Sequence, residues 1–163
     1  MLNPSSPLAS LMAAVIRPGR VEWIGIRPGR RLAMHSLPLA ELSAAKGLVG
    51  DRYDGKSGNR HVTLIGSADL SAIAGFLDQA VTPDQLRRNI VVSGINLLAL
   101  KDKRFKLGAA TLEMTGECHP CSRMEDVFGA GGYNAVRGHG GITARVLIGG
   151  EVGVSDLLEV IRT

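Results

Sequence analysis

Short apolar clusters, punctuated by Gly, Pro, Asn and Asp, run along this chain and seldom persist at helical spacing. Residues 21–26, 61–65, 90–93, 109–115, 142–148 and 152–160 are each rich in Val, Ile, Leu or Thr and bounded by turn formers, which predicts strands. Gly149-Gly150 reads as the two-residue turn of a hairpin joining the last two. Upstream, Arg17-Pro18-Gly19-Arg20 recurs as Arg27-Pro28-Gly29-Arg30. Pro followed by Gly suits the centre of a type II turn. The spacing therefore predicts a meander: a turn, a strand over 21–26, a second turn, and a strand over 31–36. Two copies fall short of a repeat architecture.

A helical period shows in few places. Leu70, Ile73, Ala74 and Leu77 share one face within 67–79, with Ser67 as the expected cap. A second, short helix is expected to start at Thr82, with Pro83 at its first position and Gln85 placed for a capping box. A third is expected over 121–128, followed by a flexible Gly-rich connection over 129–141. Residues 1–14 carry Pro and Ser without a clean period, and with the first turn they form an arm over 1–19 ahead of one domain over 20–163. Many short strands, Gly-rich turns and a few inserted helices define a mainly β class with a closed or nearly closed barrel.

Composition narrows the classes of function. A chain of 163 residues suits one domain and buries roughly 70% of its unfolded surface, so it needs neither disulfide nor metal merely to fold. With 45% hydrophobic and 21% charged residues it is an ordinary globular composition. Aromatics are scarce and the net charge of +4 is not gathered into a basic stripe, so no nucleic-acid partner is expected. The apolar stretch 8–16 is too short to span a bilayer and follows no basic side chain, so neither a signal peptide nor a membrane partner is expected. Two cysteines cannot build a secreted disulfide framework, which makes a reducing cytoplasm the expected location.

Those two cysteines stand together in Cys118-His119-Pro120-Cys121. On the expected helix start, Cys121 faces unpaired backbone N–H groups and the positive end of the helix dipole, with Arg123 as a nearby cation, and such a setting favours thiolate. A thiolate there is a nucleophile, a soft-metal ligand or an acceptor of sulfur. Cys118 is the auxiliary thiol, able to resolve a mixed disulfide on Cys121 as a dithiol couple. Structural zinc lacks the second ligand pair that tetrahedral sites use. Three further segments suit anions. Gly47-Leu48-Val49-Gly50-Asp51-Arg52-Tyr53 leads to Arg60-His61 at a strand start, a loop able to offer backbone N–H groups and two arginines. Arg87-Arg88-Asn89 places cations and an amide at a helix-to-strand junction. The Gly-rich connection carries Tyr133, Asn134, Arg137 and His139.

Taken in order, these segments resemble the MOSC domain, the module at the C-terminus of molybdenum cofactor sulfurases. The pieces that match are 47–53, Asn59-Arg60-His61-Val62-Thr63-Leu64-Ile65, Leu86-Arg87-Arg88-Asn89-Ile90-Val91-Val92-Ser93-Gly94, Cys118-His119-Pro120-Cys121 and the terminal Gly-Gly, so the likeness covers about residues 20–160. The resemblance implies a MOSC-type β-barrel, similar to the pyruvate kinase barrel, and a role in sulfur transfer or with the molybdenum cofactor. It puts the family's functional cysteine on Cys121, as a persulfide carrier or a molybdenum ligand. Arg52, Arg60, His61, Arg88, Asn89 and Arg123 are the expected contacts of an anionic pterin phosphate. A cysteine desulfurase is the implied sulfur donor, and a molybdoenzyme or the cofactor the implied acceptor. Full-length sulfurases join this module to a pyridoxal-phosphate-dependent domain, and molybdenum reductases of the family carry a further N-terminal domain. The chain has no room for either, and no pyridoxal phosphate site is expected in it. Two other readings stay open: a non-catalytic module that binds an anionic small molecule, and a dithiol redox protein using Cys118 and Cys121.

Overall fold

A computed structural model describes residues 2–162. Helix α1 (Pro7–Met12) is followed by strands β1 (Gly19–Ile26), β2 (His35–Ser36), β3 (Leu39–Ser43), β4 (Gly47–Leu48) and β5 (Val62–Gly66). Helices α2 (Ser67–Leu77) and α3 (Pro83–Leu86) lead to β6 (Ile90–Ser93), and a 3-10 turn over Leu97–Leu100 leads to β7 (Arg104–Leu107) and β8 (Ala110–Glu117). Helices α4 (Arg123–Phe128) and α5 (Gly132–Val136) precede β9 (Ile142–Ile148), β10 (Gly150–Gly153) and β11 (Leu157–Val160).

Seven strands close into a barrel in the order β1-β6-β5-β9-β8-β7-β11, shut by Gly19 and Arg20 of β1 pairing with Leu158 and Leu157 of β11. Closure removes the open edges that would otherwise invite association. Neighbours are antiparallel except β5 and β6, which run parallel and are joined through α2 and α3. A parallel pair needs such a crossover. The crossover also covers the outer face of β5, which explains why that strand is buried along its whole length.

Alternation sorts the side chains into two cores. Val21, Ile24, Leu64, Ile90, Phe105 and Leu112 fill the barrel, while Ile65 and Val91 point outward to meet Ile73, Leu86, Met124 and Val136 under the helices. Trp23 packs on this outer layer. Strands β3, β4 and β10 form a separate three-stranded sheet.

The mainly β class, the barrel and the expected strands at 61–65, 90–93, 109–115 and 142–148 match the fold closely. Other expectations are corrected. Gly149-Gly150 does not turn a hairpin: β10 leaves β9 and pairs with β3. Both glycines are there for close approach, since a Cβ on Gly149 would sit 2.7 Å from the Leu42 oxygen and one on Gly150 2.6 Å from the Ala109 carbonyl carbon. The expected strand 152–160 is two strands, broken where Ser155 adopts φ 80° and Asp156 accepts from the Gly153 N–H at 2.8 Å. Only His35 and Ser36 of the expected strand 31–36 pair, because Arg31 is left-handed at φ 63°.

Neither Gly19 nor Gly29 has the positive φ of a type II turn, and Gly19 already belongs to β1. Gly66, not Ser67, takes the cap position of α2. The capping box on α3 forms as expected, the Gln85 side chain accepting from the Thr82 N–H at 2.9 Å. The Gly-rich connection is not a plain loop: α5 lies within it, Gly132 packing tightly on the Met124 carbonyl. Strands β3 and β7 escaped the sequence reading altogether.

Candidate functional site

Asp51 organises one side of the site. Its carboxylate has no exposed surface and forks onto Arg27, at 2.7 Å to Nη2 and 3.1 Å to Nε, while also accepting the Arg27 backbone N–H at 2.8 Å. Burial alone would raise this carboxyl, but the Arg27 bonds and charge outweigh it and hold the group below its ordinary value. Asn89 extends the network. Its Nδ2 donates to Asp51 and to the Gly25 carbonyl, each at 3.1 Å, and its Oδ1 accepts from the Thr63 N–H and hydroxyl, also at 3.1 Å. Asn89 is fully buried, and its amide ties β1, β5 and β6 together around Asp51.

Arg88 organises the other side. This buried guanidinium donates from Nε to the Gly140 carbonyl and from Nη1 to the Leu86 carbonyl, both at 2.7 Å. Burial lowers its pKa, the Cys118 thiol pulls it back up, and Arg60 lowers it further, with Cys121 again raising it. Both sulfurs therefore lie within electrostatic reach of Arg88. Cys118 is buried, its N–H bonded to the Gly141 carbonyl at 2.8 Å, and Arg60 Nη2 donates toward its sulfur at 3.6 Å. Gly140 is required here, because a Cβ would collide with the Cys118 carbonyl oxygen.

Cys121 is exposed. The expected helix start is corrected: α4 begins at Arg123 with Ser122 in the cap position, so Cys121 stands one residue outside. Pro120 and the Cys121 carbonyl, which accepts from the Met124 N–H at 3.0 Å, shape a turn ahead of the helix. The nearby charges are guanidiniums, and Arg88 lies within electrostatic reach of this thiol.

Those guanidiniums form one group. Arg87 donates to the Leu32 carbonyl at 2.6 Å and the Gly29 carbonyl at 3.1 Å, and its pKa is lowered first by burial and then by the charges of Arg123, Arg27 and Arg52. Asp51 offsets this in part. Arg27, Arg52 and Arg123 thus lie within electrostatic reach of Arg87, with Asp51 as the offsetting charge, while Arg60 and Arg88 stand beside Cys118. Such a group of cations attracts and orients an anion.

The fold brings Arg52, Arg60, Arg88, Arg123, Cys118 and Cys121 into this neighbourhood. Asn89 is spent on the scaffold. His61 is buried as well: its Nδ1 accepts from the Val146 N–H at 3.1 Å, and its ring stands edge-on to Tyr53. Burial and then the Arg145 charge lower its pKa from 6.5. A depressed histidine contributes stability that is complete above the unfolded value and lost as pH falls toward the folded one. Denaturant midpoints measured from about pH 7.5 down to 5 should therefore decline through a limb that His61→Gln flattens. Arg27 and Asp51 are site residues to which the sequence reading gave no role, whereas Arg87 was named there as an anion-binding cation beside Arg88. Arg27 was hidden by its Pro-Gly neighbours, which read as a turn. Asp51 lies in the quoted 47–53 segment, where a lone acid among arginines was the available signal.

Among the described residues no cluster of three or more His, Cys, Asp or Glu could hold a metal ion by itself. Among the same described residues no helix is long and apolar enough to cross a membrane.

The architecture is that of a closed, mainly β barrel with two free cysteines, Cys118 buried and Cys121 exposed, in the segment ahead of α4. The MOSC domain model matches residues 44–159, and the chain belongs to the MOSC domain family. That family is associated with binding of the molybdenum cofactor. Among solved structures, the YuaD protein from Bacillus subtilis superposes with a TM-score of 0.76 at 19% identity, covering 90% of this chain and 97% of that one. YiiM from Geobacillus stearothermophilus gives 0.73 at 12% identity over 88% of this chain and 75% of its own. YiiM from Escherichia coli gives 0.65 at 18% identity, over 88% and 70%. At these identities the likeness is one of fold. No curated protein matches the sequence.

Proposed function

We propose that this MOSC protein handles sulfur or the molybdenum cofactor at Cys121, with the surrounding arginines receiving the anionic partner. The observation that carries this reading is an exposed Cys121 thiol within electrostatic reach of the buried Arg88 guanidinium. Open, electropositive surroundings are where cysteines react as thiolates. Cys118, buried and bonded to Arg60, serves as the auxiliary thiol.

As a carrier, the Cys121 thiolate attacks the outer sulfur of a persulfide held by a cysteine desulfurase. The donor's S–S bond breaks, its cysteine leaves as thiolate, and a new S–S bond forms on Cys121. The exchange needs no added oxidant or reductant. A molybdoenzyme or its cofactor is the acceptor.

The residues present fit an anionic pterin phosphate. Cys121 offers a thiolate ligand of the soft kind, and Arg52, which is exposed, and Arg123, which is half-buried, are placed to turn toward a phosphate. Arg60 and Arg88 add charge from beside Cys118. When bound, the cofactor would supply a redox-active metal at the thiol. This chain's own residues orient the phosphate and neutralise its charge.

Incubation with a cysteine desulfurase and cysteine, followed by alkylation and mass spectrometry, tests the reading. Cys121 should gain a single sulfur, and the gain should vanish in Cys121→Ser while surviving in Cys118→Ser. Molybdenum retained by the wild type from a molybdate-replete host and lost in Cys121→Ser supports the ligand form. Neither sulfur nor molybdenum on Cys121 defeats the proposal. A reversible Cys118–Cys121 disulfide with no sulfur gain would indicate the dithiol alternative, and an anion bound equally by Cys121→Ser the sequestering module.

A further inference from the structure

Leu8, Leu11 and Met12 share one face of α1 and Val15 follows just beyond its end, and these side chains are turned to solvent. Leu11 and Val15 are each 73% exposed, Leu8 is 51% exposed, and α1 buries no residue. The backbone hydrogen bonds of the arm stay within it: Ala13 bonds back to Ala9, and Ala14 to Leu11. An apolar stripe of this kind needs a partner to cover it.

The surroundings of the stripe are cationic. Ala9 and Met12 form part of one wall of a groove of about 550 Å³ whose other lining includes apolar Val160 and Ile161 and the cations Lys101, Lys103, Arg104 and Arg162, with Asp102 as the opposing charge. The chain carries no acidic residue before Glu22, whereas Arg17 and Arg20 follow the stripe. We infer that the arm and the adjacent basic rim dock on an anionic phospholipid surface, the leucines entering the acyl boundary while the cations meet the headgroups. Apolar insertion and electrostatic attraction to anionic lipid are the two ingredients of interfacial helix binding. The expectation of no membrane partner rested on the absence of a spanning segment, and peripheral attachment needs none. The site is separate from the Cys121 neighbourhood, so the two proposals stand or fall independently.

Co-sedimentation of the full chain with vesicles tests this. Phosphatidylcholine vesicles containing phosphatidylglycerol should retain the protein, and pure phosphatidylcholine should not. Leu8→Asp/Leu11→Asp should lower retention by about tenfold or more, since burial of each leucine is lost. Lys101→Glu/Arg104→Glu should weaken it about tenfold, and added salt should do the same to the wild type. Unchanged circular dichroism would show that the barrel survives these surface changes. The inference is overturned by no retention on anionic vesicles, or by equal retention on neutral ones. A dimer in vesicle-free solution that Leu11→Asp dissolves would also overturn it, by assigning the face to a second copy. So would capture of free dodecanoate in the groove without vesicle binding.

Discussion

Asp51→Ala is expected to lower the free energy of unfolding by about 3–5 kcal/mol, the range for removing one partner of a buried ion pair. The change strands Arg27 beside Arg52 and Arg87 with its main counter-charge gone, and it leaves the Asn89 amide with one donor unmet. Urea denaturation followed by circular dichroism measures the loss. A shift under 1 kcal/mol would mean that the network is ornamental. The sign with pH follows from the lowered carboxyl. Its contribution is complete above the unfolded value of 3.8 and drains as pH falls through the lower folded value. Asp51→Asn should therefore flatten the acid limb of the stability profile, and by keeping the shape it separates charge from packing.

Arg88→Met should affect both stability and chemistry. The side chain supplies hydrogen bonds to the Gly140 and Leu86 carbonyls, and methionine returns the hydrocarbon stem without the donors. Two buried acceptors left unpaired cost about 2–4 kcal/mol. The substitution also withdraws a buried cation within electrostatic reach of both thiols, so sulfur uptake at Cys121 should slow several-fold at neutral pH. Urea denaturation of the same variant distinguishes slowed uptake from loss of fold. Arg88→Lys should restore part of the uptake and little of the stability, because an ammonium lacks the planar fork that reaches both carbonyls. Uptake in Arg88→Met equal to wild type across pH would remove Arg88 from the account of the thiol.

These effects centre on residues whose importance is unevenly visible in the chain. Arg88 and Asn89 stand in one recognisable segment, but their tasks differ. One faces the thiols and the other holds strands together, and adjacency in sequence cannot tell these apart. Cys121 was expected to draw its positive field from a helix start. Cys121 instead stands one residue outside the helix, and the cation tied to it electrostatically is Arg88, on a distant segment after α3. Such a neighbour is invisible to a reading confined to adjacent residues.

The same division holds for the fold. Runs rich in Val, Ile, Leu or Thr and bounded by turn formers, such as 142–148 and 90–93, were legible because a strand buried on a barrel wall must carry them, whatever it pairs with. The capping box at Thr82 was legible because its bonds are local. Strand β3, with exposed Leu39 and Glu41 alternating with buried Ala40 and Leu42, has too weak a signature to stand out, and only its pairing with β10 makes it a strand. What the amino-acid sequence determined by itself was therefore the mainly β class, the MOSC signature and the paired cysteines. Tertiary structure decided which thiol is buried and which exposed, which arginines gather around them, and that Gly149 and Gly150 serve close packing. Each of those depends on contacts between distant segments, and such contacts leave no periodicity in any one of them.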